Sequence, residues 1–135
     1  KRGNVVEYHG ARLINDCYNS NPRALGSMVD ALKKTAATRR IVVAGEMLEL
    51  GPEAAALHRA CGKAMVGVDL VVGVRGFAEE IVAGARDAGV AAEFVATPEA
   101  AGKWLAGNLR EGDVVLLKGS RGVRLERALA ALKCV

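Results

Sequence analysis

Val114-Val115-Leu116-Leu117-Lys118-Gly119-Ser120-Arg121-Gly122 opens on four aliphatic residues without polar alternation and then breaks into a glycine-flanked polar loop. A strand with one wet face alternates apolar and polar side chains. A strand without that alternation is covered on both faces, as in a parallel sheet sandwiched between helices. Leu125, Leu129 and Leu132 follow at helical spacing, so the stretch reads as a central strand, a loop and a final helix.

Working outward, the same unit recurs. Residues 40–44 form a buried strand ending at Gly45, and a loop leads to Pro52, which opens a helix with Leu57, Cys61, Ala64 and Met65 on one face. Residues 70–74 are a further strand, after which Gly76 leads into a helix carrying Phe77, Ile81 and Ala85. Residues 93–96 form a short strand, and Thr97-Pro98-Glu99 caps a helix holding Ala101, Trp104, Leu105 and Leu109. At the start of the chain, residues 5–9 and 12–16 read as two strands joined at His9-Gly10-Ala11, a hairpin turn. Asn21 then caps a helix whose first residue is Pro22 and whose apolar positions are Leu25, Met28, Val29 and Leu32. Strands regularly separated by helices predict an α/β fold. The expected architecture is a single three-layer, Rossmann-like domain over residues 1–135, its sheet mostly parallel with an antiparallel edge at the amino-terminal hairpin.

Composition narrows the function classes. The 135 residues are 51% hydrophobic, 25% charged and only 4% aromatic, which predicts one folded domain with an aliphatic interior. The net charge of +4 comes from 19 basic and 15 acidic residues scattered along the chain. Lys33-Lys34 and Arg39-Arg40 are the longest basic clusters, so a nucleic-acid partner is not expected, whereas phosphate-bearing small molecules suit the modest positive excess. Cys17, Cys61 and Cys134 are far apart and odd in number, which argues against a disulfide framework or a structural zinc site and for a reducing compartment. No apolar run of about 18 residues occurs, so membrane insertion is not expected, and Lys1-Arg2-Gly3-Asn4 lacks the apolar core of a signal peptide.

In a parallel sheet, functional groups collect in the loops at the carboxyl ends of strands. Asp16-Cys17-Tyr18-Asn19-Ser20-Asn21-Pro22 places a carboxylate at a strand end and amides before a helix. These groups suit ribose hydroxyls and a base edge, and they equally suit turn ordering by Asp16 and capping by Asn21. Gly45-Glu46-Met47-Leu48-Glu49-Leu50-Gly51 carries two acids that could position a cation or amine, though an ordinary loop with Met and Leu tucked into the core fits better. Lys118-Gly119-Ser120-Arg121-Gly122 offers donors suited to a carboxylate or phosphate. The phosphate-loop pattern Gly-x-x-x-x-Gly-Lys-Ser/Thr is absent from all 135 residues, and Gly73-Val74-Arg75-Gly76 lacks the third glycine of a dinucleotide fingerprint. His9 reads as an exposed turn residue, His58 as structural and Trp104 as core. Neither histidine stands beside a nucleophile motif.

Taken together, residues 14–22, residues 45–51, His58 with Gly62, and residues 117–122 resemble the carboxy-terminal domain of the Mur ligase family. Among its members the likeness is to those that add D-alanyl-D-alanine in peptidoglycan synthesis. Ser20 stands where alanine is usual and Glu46 where aspartate is common. The resemblance implies a cytoplasmic, monomeric, three-domain ligase that converts the terminal carboxylate of UDP-N-acetylmuramoyl-tripeptide into an acyl phosphate. The D-alanyl-D-alanine amine then attacks it. The phosphate loop and magnesium ligands would belong to a central domain. By position, Asp16 would contact the ATP ribose, Asn19 and Asn21 would lie near the adenine, and Arg2 would reach the nucleotide phosphates from the domain hinge. Lys118, Ser120 and Arg121 would face the incoming dipeptide and its carboxylate. No catalytic acid or base is assigned within the chain, so the domain alone should be inactive. The alternatives are a sister ligase of the folylpolyglutamate type, against which the Asn19-Ser20-Asn21-Pro22 string argues, and a free-standing nucleotide-binding regulatory module. The reading requires Asp16 and Ser120 to lie at one end of the sheet.

Overall fold

A computed structural model describes residues 4–133. Six strands form one sheet: β1 (Asn4–Tyr8), β2 (Ala11–Asp16), β3 (Arg39–Gly45), β4 (Leu70–Val74), β5 (Ala92–Val95) and β6 (Asp113–Lys118), in the order β1-β2-β6-β3-β4-β5. Every pairing is parallel except β1 with β2. The antiparallel pair closes through His9 and Gly10 at φ 49° and 84°. Two successive left-handed residues match the natural twist of a hairpin, and glycine supplies one of them without steric cost. The last strand in the sequence, β6, is buried along its whole length because it lies between β2 and β3. Its unbroken aliphatic run is what that central position requires.

Five helices cover the two faces: α1 (Pro22–Lys33), α2 (Ala54–Lys63), α3 (Ala78–Asp87), α4 (Pro98–Asn108) and α5 (Arg127–Lys133). Leu25, Val29 and Leu32 of α1 and Ala78, Ile81, Val82 and Ala85 of α3 pack with Val42, Val71 and Leu116 on one face. Ala101 and Leu105 of α4 and Ala128, Leu129 and Leu132 of α5 pack with Leu13, Ile41, Val72 and Leu117 on the other. Helix α1 begins as its sequence dictates, since Asn21 Oδ1 accepts the Ala24 N–H at 2.8 Å. Thr97 Oγ1 does the same for Ala100 at the start of α4, at 3.1 Å. No helix among the described residues is long and apolar enough to cross a membrane.

Two helix faces differ from expectation. In α2 the buried positions are Ala54, His58 and Gly62, whereas Leu57 and Cys61 are half-buried; just past the helix end Ala64 is exposed and Met65 is buried as expected. The cause is a backbone-to-backbone contact with α3. A Cβ on Gly62 would stand 2.0 Å from the Ile81 carbonyl oxygen, and one on Gly84 would stand 2.1 Å from that of Arg59. Phe77 was expected on the buried face of α3 and is 46% exposed. Arg75 and Gly76 both adopt positive φ, 73° and 50°, and they turn the chain so that Phe77 precedes the helix. Pro52 lies in a short 3-10 turn at Gly51–Glu53, ahead of α2 proper.

Candidate functional site

Because β2, β6, β3 and β4 run parallel, their carboxyl ends share one edge. Asp16 pairs in register with Lys118, Lys118 with Ala44, and Gly45 with Val74. The loops that follow these strands therefore converge, and Asp16 and Ser120 stand at the same end of the sheet.

Asp16 and Lys118 point to the α1 face and form a buried ion pair, each 2% exposed, with Nζ to Oδ2 at 3.2 Å. Lys118 Nζ also donates to the Asn19 carbonyl. Removing two charges from water costs several kcal/mol per ion before their attraction is counted. The arrangement therefore depends on the added contacts that hold it, and Lys118 ties the loop after β2 to the end of β6. Asp16 Oδ1 and the hydroxyl of Ser20 are buried without a hydrogen-bond partner. Asn19 and Asn21 are exposed, the latter with its side-chain oxygen engaged as the α1 cap.

On the opposite face, the Arg121 guanidinium lies over the Tyr18 ring at 4.2 Å from its centre. An open cavity of about 280 Å³ there is lined by Asn4, Asn15, Cys17, Tyr18, Arg121 and Glu126. Asn15 Oδ1 is a second buried acceptor without a donor. Burial pushes the Cys17 thiol up to about 12, with Glu126 and Asp16 adding to the shift and Lys118 opposing it. Cys17 is thus held protonated and is no nucleophile at neutral pH.

A third loop, after β3, joins these parts. Glu46 Oε2 accepts the Phe77 N–H at 2.9 Å while Oε1 pairs with Arg75 Nε at 3.4 Å. The Met47 N–H donates to His58 Nε2 at 2.9 Å, and the Leu48 N–H donates to Ser120 Oγ at 3.4 Å. Arg75 Nη1 reaches the Gly122 carbonyl at 3.4 Å.

The sequence-derived residues are accordingly brought together, but in a different grouping. Lys118 is paired with Asp16, and Ser120 is turned toward Leu48. Of the loop at residues 118–122 only Arg121 among the three expected ligands is exposed. Arg2 lies outside the described residues. Tyr18, Asn15, Glu126 and Arg75 were not singled out from the sequence. Tyr18 had a usable signal, an aromatic beside amides at a strand end, whereas Glu126 sits in a helical stretch and had none. Asp16 Oδ1 and Asn15 Oδ1 are acceptors of the kind that hydroxyl and amine donors satisfy, but they are buried on opposite faces of the sheet, so a single nucleoside cannot engage both. Among the described residues no group of three or more His, Cys, Asp or Glu side chains is placed to hold a metal ion.

A mostly parallel sheet covered by helices on both faces, with its polar loops gathered on one edge, defines an α/β domain of the Rossmann-like class. The family profile described as "Mur ligase, glutamate ligase domain" matches residues 1–121, and the chain belongs to the Mur ligase family, in its carboxy-terminal domain. Within that family the likeness is to UDP-N-acetylmuramoyl-tripeptide–D-alanyl-D-alanine ligases. The Treponema pallidum enzyme of that name is 36% identical over 118 residues, covering 83% of this chain and 25% of its own. The Mycobacterium bovis enzyme is 36% identical over 146 residues, covering 91% and 29%. The crystal structure of the MurF ligase from Thermotoga maritima in complex with ADP superposes with a TM-score of 0.81 at 31% identity, covering 98% of this chain and 30% of that one. The chain thus spans between a quarter and a third of the length of these relatives. The folylpolyglutamate-type alternative is not favoured.

Proposed function

We propose that this chain is one domain of a longer, ATP-dependent ligase that joins D-alanyl-D-alanine to UDP-N-acetylmuramoyl-tripeptide. In this role it closes over the nucleoside of ATP and orients the dipeptide, while other domains supply the phosphate loop and magnesium ligands. The observation that carries the proposal is the convergence of Asp16 and the loop at residues 118–122 on one edge. The likeness to an ADP-bound relative supports the nucleotide half of the reading.

The chemistry explains why such a domain needs no acid or base of its own. The amine of the dipeptide attacks the carbonyl of an acyl phosphate, the carbon–oxygen bond to phosphate breaks with its electrons leaving on phosphate, and the proton shed by the new amide nitrogen goes to that departing phosphate. The hazard in this sequence is water, which attacks the same carbonyl. Holding the amine close and excluding solvent therefore accounts for a large part of the rate, and a domain that adds contacts only on closure does both. Asp16 would accept from the ribose, with Asn19 and Asn21 near the base. Arg121, exposed and braced on Tyr18, would meet the dipeptide carboxylate, and Ser120 and Lys118 would fix that loop. Arg2 would approach the phosphates. We place the ligase in the cytoplasm, as a monomer.

The test uses purified 135-residue chain with ATP, the UDP-linked tripeptide and D-alanyl-D-alanine, beside the complete ligase that contains it. Amide product should form with the complete ligase only. Turnover by the chain alone, or none by the complete ligase, overturns the proposal.

A further inference from the structure

His58 is the one imidazole in the interior of α2, 0% exposed, and both ring nitrogens are engaged. Nε2 lies 2.9 Å from the Met47 backbone nitrogen, which can only donate. Nε2 must therefore be the bare nitrogen, and Nδ1 carries the proton that it donates to the Ala54 carbonyl at 2.7 Å. The ring also packs with its centre 5.7 Å from that of the Phe77 ring, but an apolar residue of similar size could make that contact without the two hydrogen bonds. An imidazole here has a directional task, which is to hold one backbone N–H of the loop after β3.

That loop lies between the other two. Met47 is pinned by His58, and its side chain is buried at 1% exposure. The next residue, Leu48, donates its N–H to Ser120 Oγ at 3.4 Å. Its side chain packs so tightly on the following turn that a Cβ on Gly122 would stand 2.7 Å from the Leu48 Cδ1. Leu48 therefore braces the residues on both sides of Arg121. Helix α2 is itself fixed, since the glycine contacts with α3 leave it no room to slide.

We propose that His58 is a positioning residue for the dipeptide. Through Met47 and Leu48 it sets the height of Ser120 and Gly122, and so the presentation of Arg121. It touches no substrate. The proposal rests on the reading of residues 118–122 as the dipeptide loop, and it assigns to the interior of the domain a control over that loop alone. The nucleoside-facing loop at residues 17–21 is held instead by Lys118 and the α1 cap.

Two variants in the complete ligase separate positioning from packing. His58→Leu keeps bulk and loses the acceptor, whereas His58→Gln retains an acceptor for the Met47 N–H. His58→Leu should raise KM for D-alanyl-D-alanine about tenfold, the loss expected for roughly one net hydrogen bond. Its kcat and its KM for ATP should stay within about twofold of wild type. His58→Gln should restore most of the dipeptide KM. An unchanged dipeptide KM in His58→Leu, a parallel rise in both KM values, or no restoration by glutamine would overturn the proposal. On the 135-residue chain itself, nitrogen-15 spectra of the wild-type imidazole should show the Nδ1–H tautomer. The Leu48 and Ser120 amide signals should move in His58→Leu and return in His58→Gln. The opposite tautomer, or unmoved signals, would refute the coupling. A complete wild-type ligase that does not use D-alanyl-D-alanine would instead refute the assigned reaction, and the spectra would still decide the coupling.

Discussion

Cys17 follows the strand-end carboxylate Asp16, and its thiol hydrogen bonds weakly to the Leu117 carbonyl at 3.8 Å. Its native value of about 12, against 9.0 for an ordinary thiol, has a consequence for stability. Between those values the unfolded thiol has lost its proton while the native one keeps it, so the native state binds more protons and stability falls as pH rises. The contribution is intact below about pH 9 and is lost progressively towards pH 12. Replacement by alanine should flatten that decline, measured as urea midpoints of Cys17→Ala and wild type from pH 8.5 to 10.5, a range chosen around the ordinary thiol value. Identical slopes would mean that the thiol is solvated. At this scale the sequence was most informative where the physics is local. Asn21 before Pro22 marks the start of α1 by short-range geometry alone. The Asp16–Lys118 pair was not legible, because its partners meet only through a strand order in which β6 inserts between β2 and β3.

Helix pairing shows a different limit. Apolar periodicity in α2 points to Leu57 and Cys61 and is blind to Gly62, which has no side chain. Yet Gly62 and Gly84 allow α2 and α3 to touch through their backbones. By helix propensity, Gly62→Ala should stabilise the protein by about 1 kcal/mol. A methyl group 2.0 Å from the Ile81 carbonyl oxygen and 2.8 Å from the Ala85 nitrogen cannot be accommodated by rotating a side chain. The steric term should win, with a net loss of about 1–3 kcal/mol in the free energy of chemical unfolding. A stabilised Gly62→Ala variant would show that the helices part easily. Phe77 was misplaced for a related reason, since the left-handed turn at Arg75 and Gly76 is invisible to periodicity. The parallel sheet was legible throughout, because burial on both faces leaves a direct mark in Val71, Val72, Val115 and Leu116.

Across the whole molecule, the two ends of the sheet carry different buried ion pairs. At the amino ends of β3 and β6, Arg39 clasps the buried Asp113 through Nε at 3.0 Å and Nη2 at 2.8 Å, and Asp113 also accepts the Arg110 N–H at 2.8 Å. The hydrogen bond to Asp113 holds the Arg39 guanidinium above its ordinary value, against the opposing effect of burial. Asp113→Ala should lower stability by about 2–3 kcal/mol, because charge-assisted bonds are lost and a partly buried cation is left unpaired. In the complete ligase both KM values should remain at wild-type levels. A change in either would show that the two ends are coupled.

The antiparallel hairpin has one more consequence. Since β1 runs against β2, its first described residue, Asn4, sits opposite Asn15, at the rim of the cleft and far from the Arg39–Asp113 clasp. The pocket beside Tyr18 and Arg121 therefore takes part of its wall from an edge strand that, among the described residues, is paired on one side only.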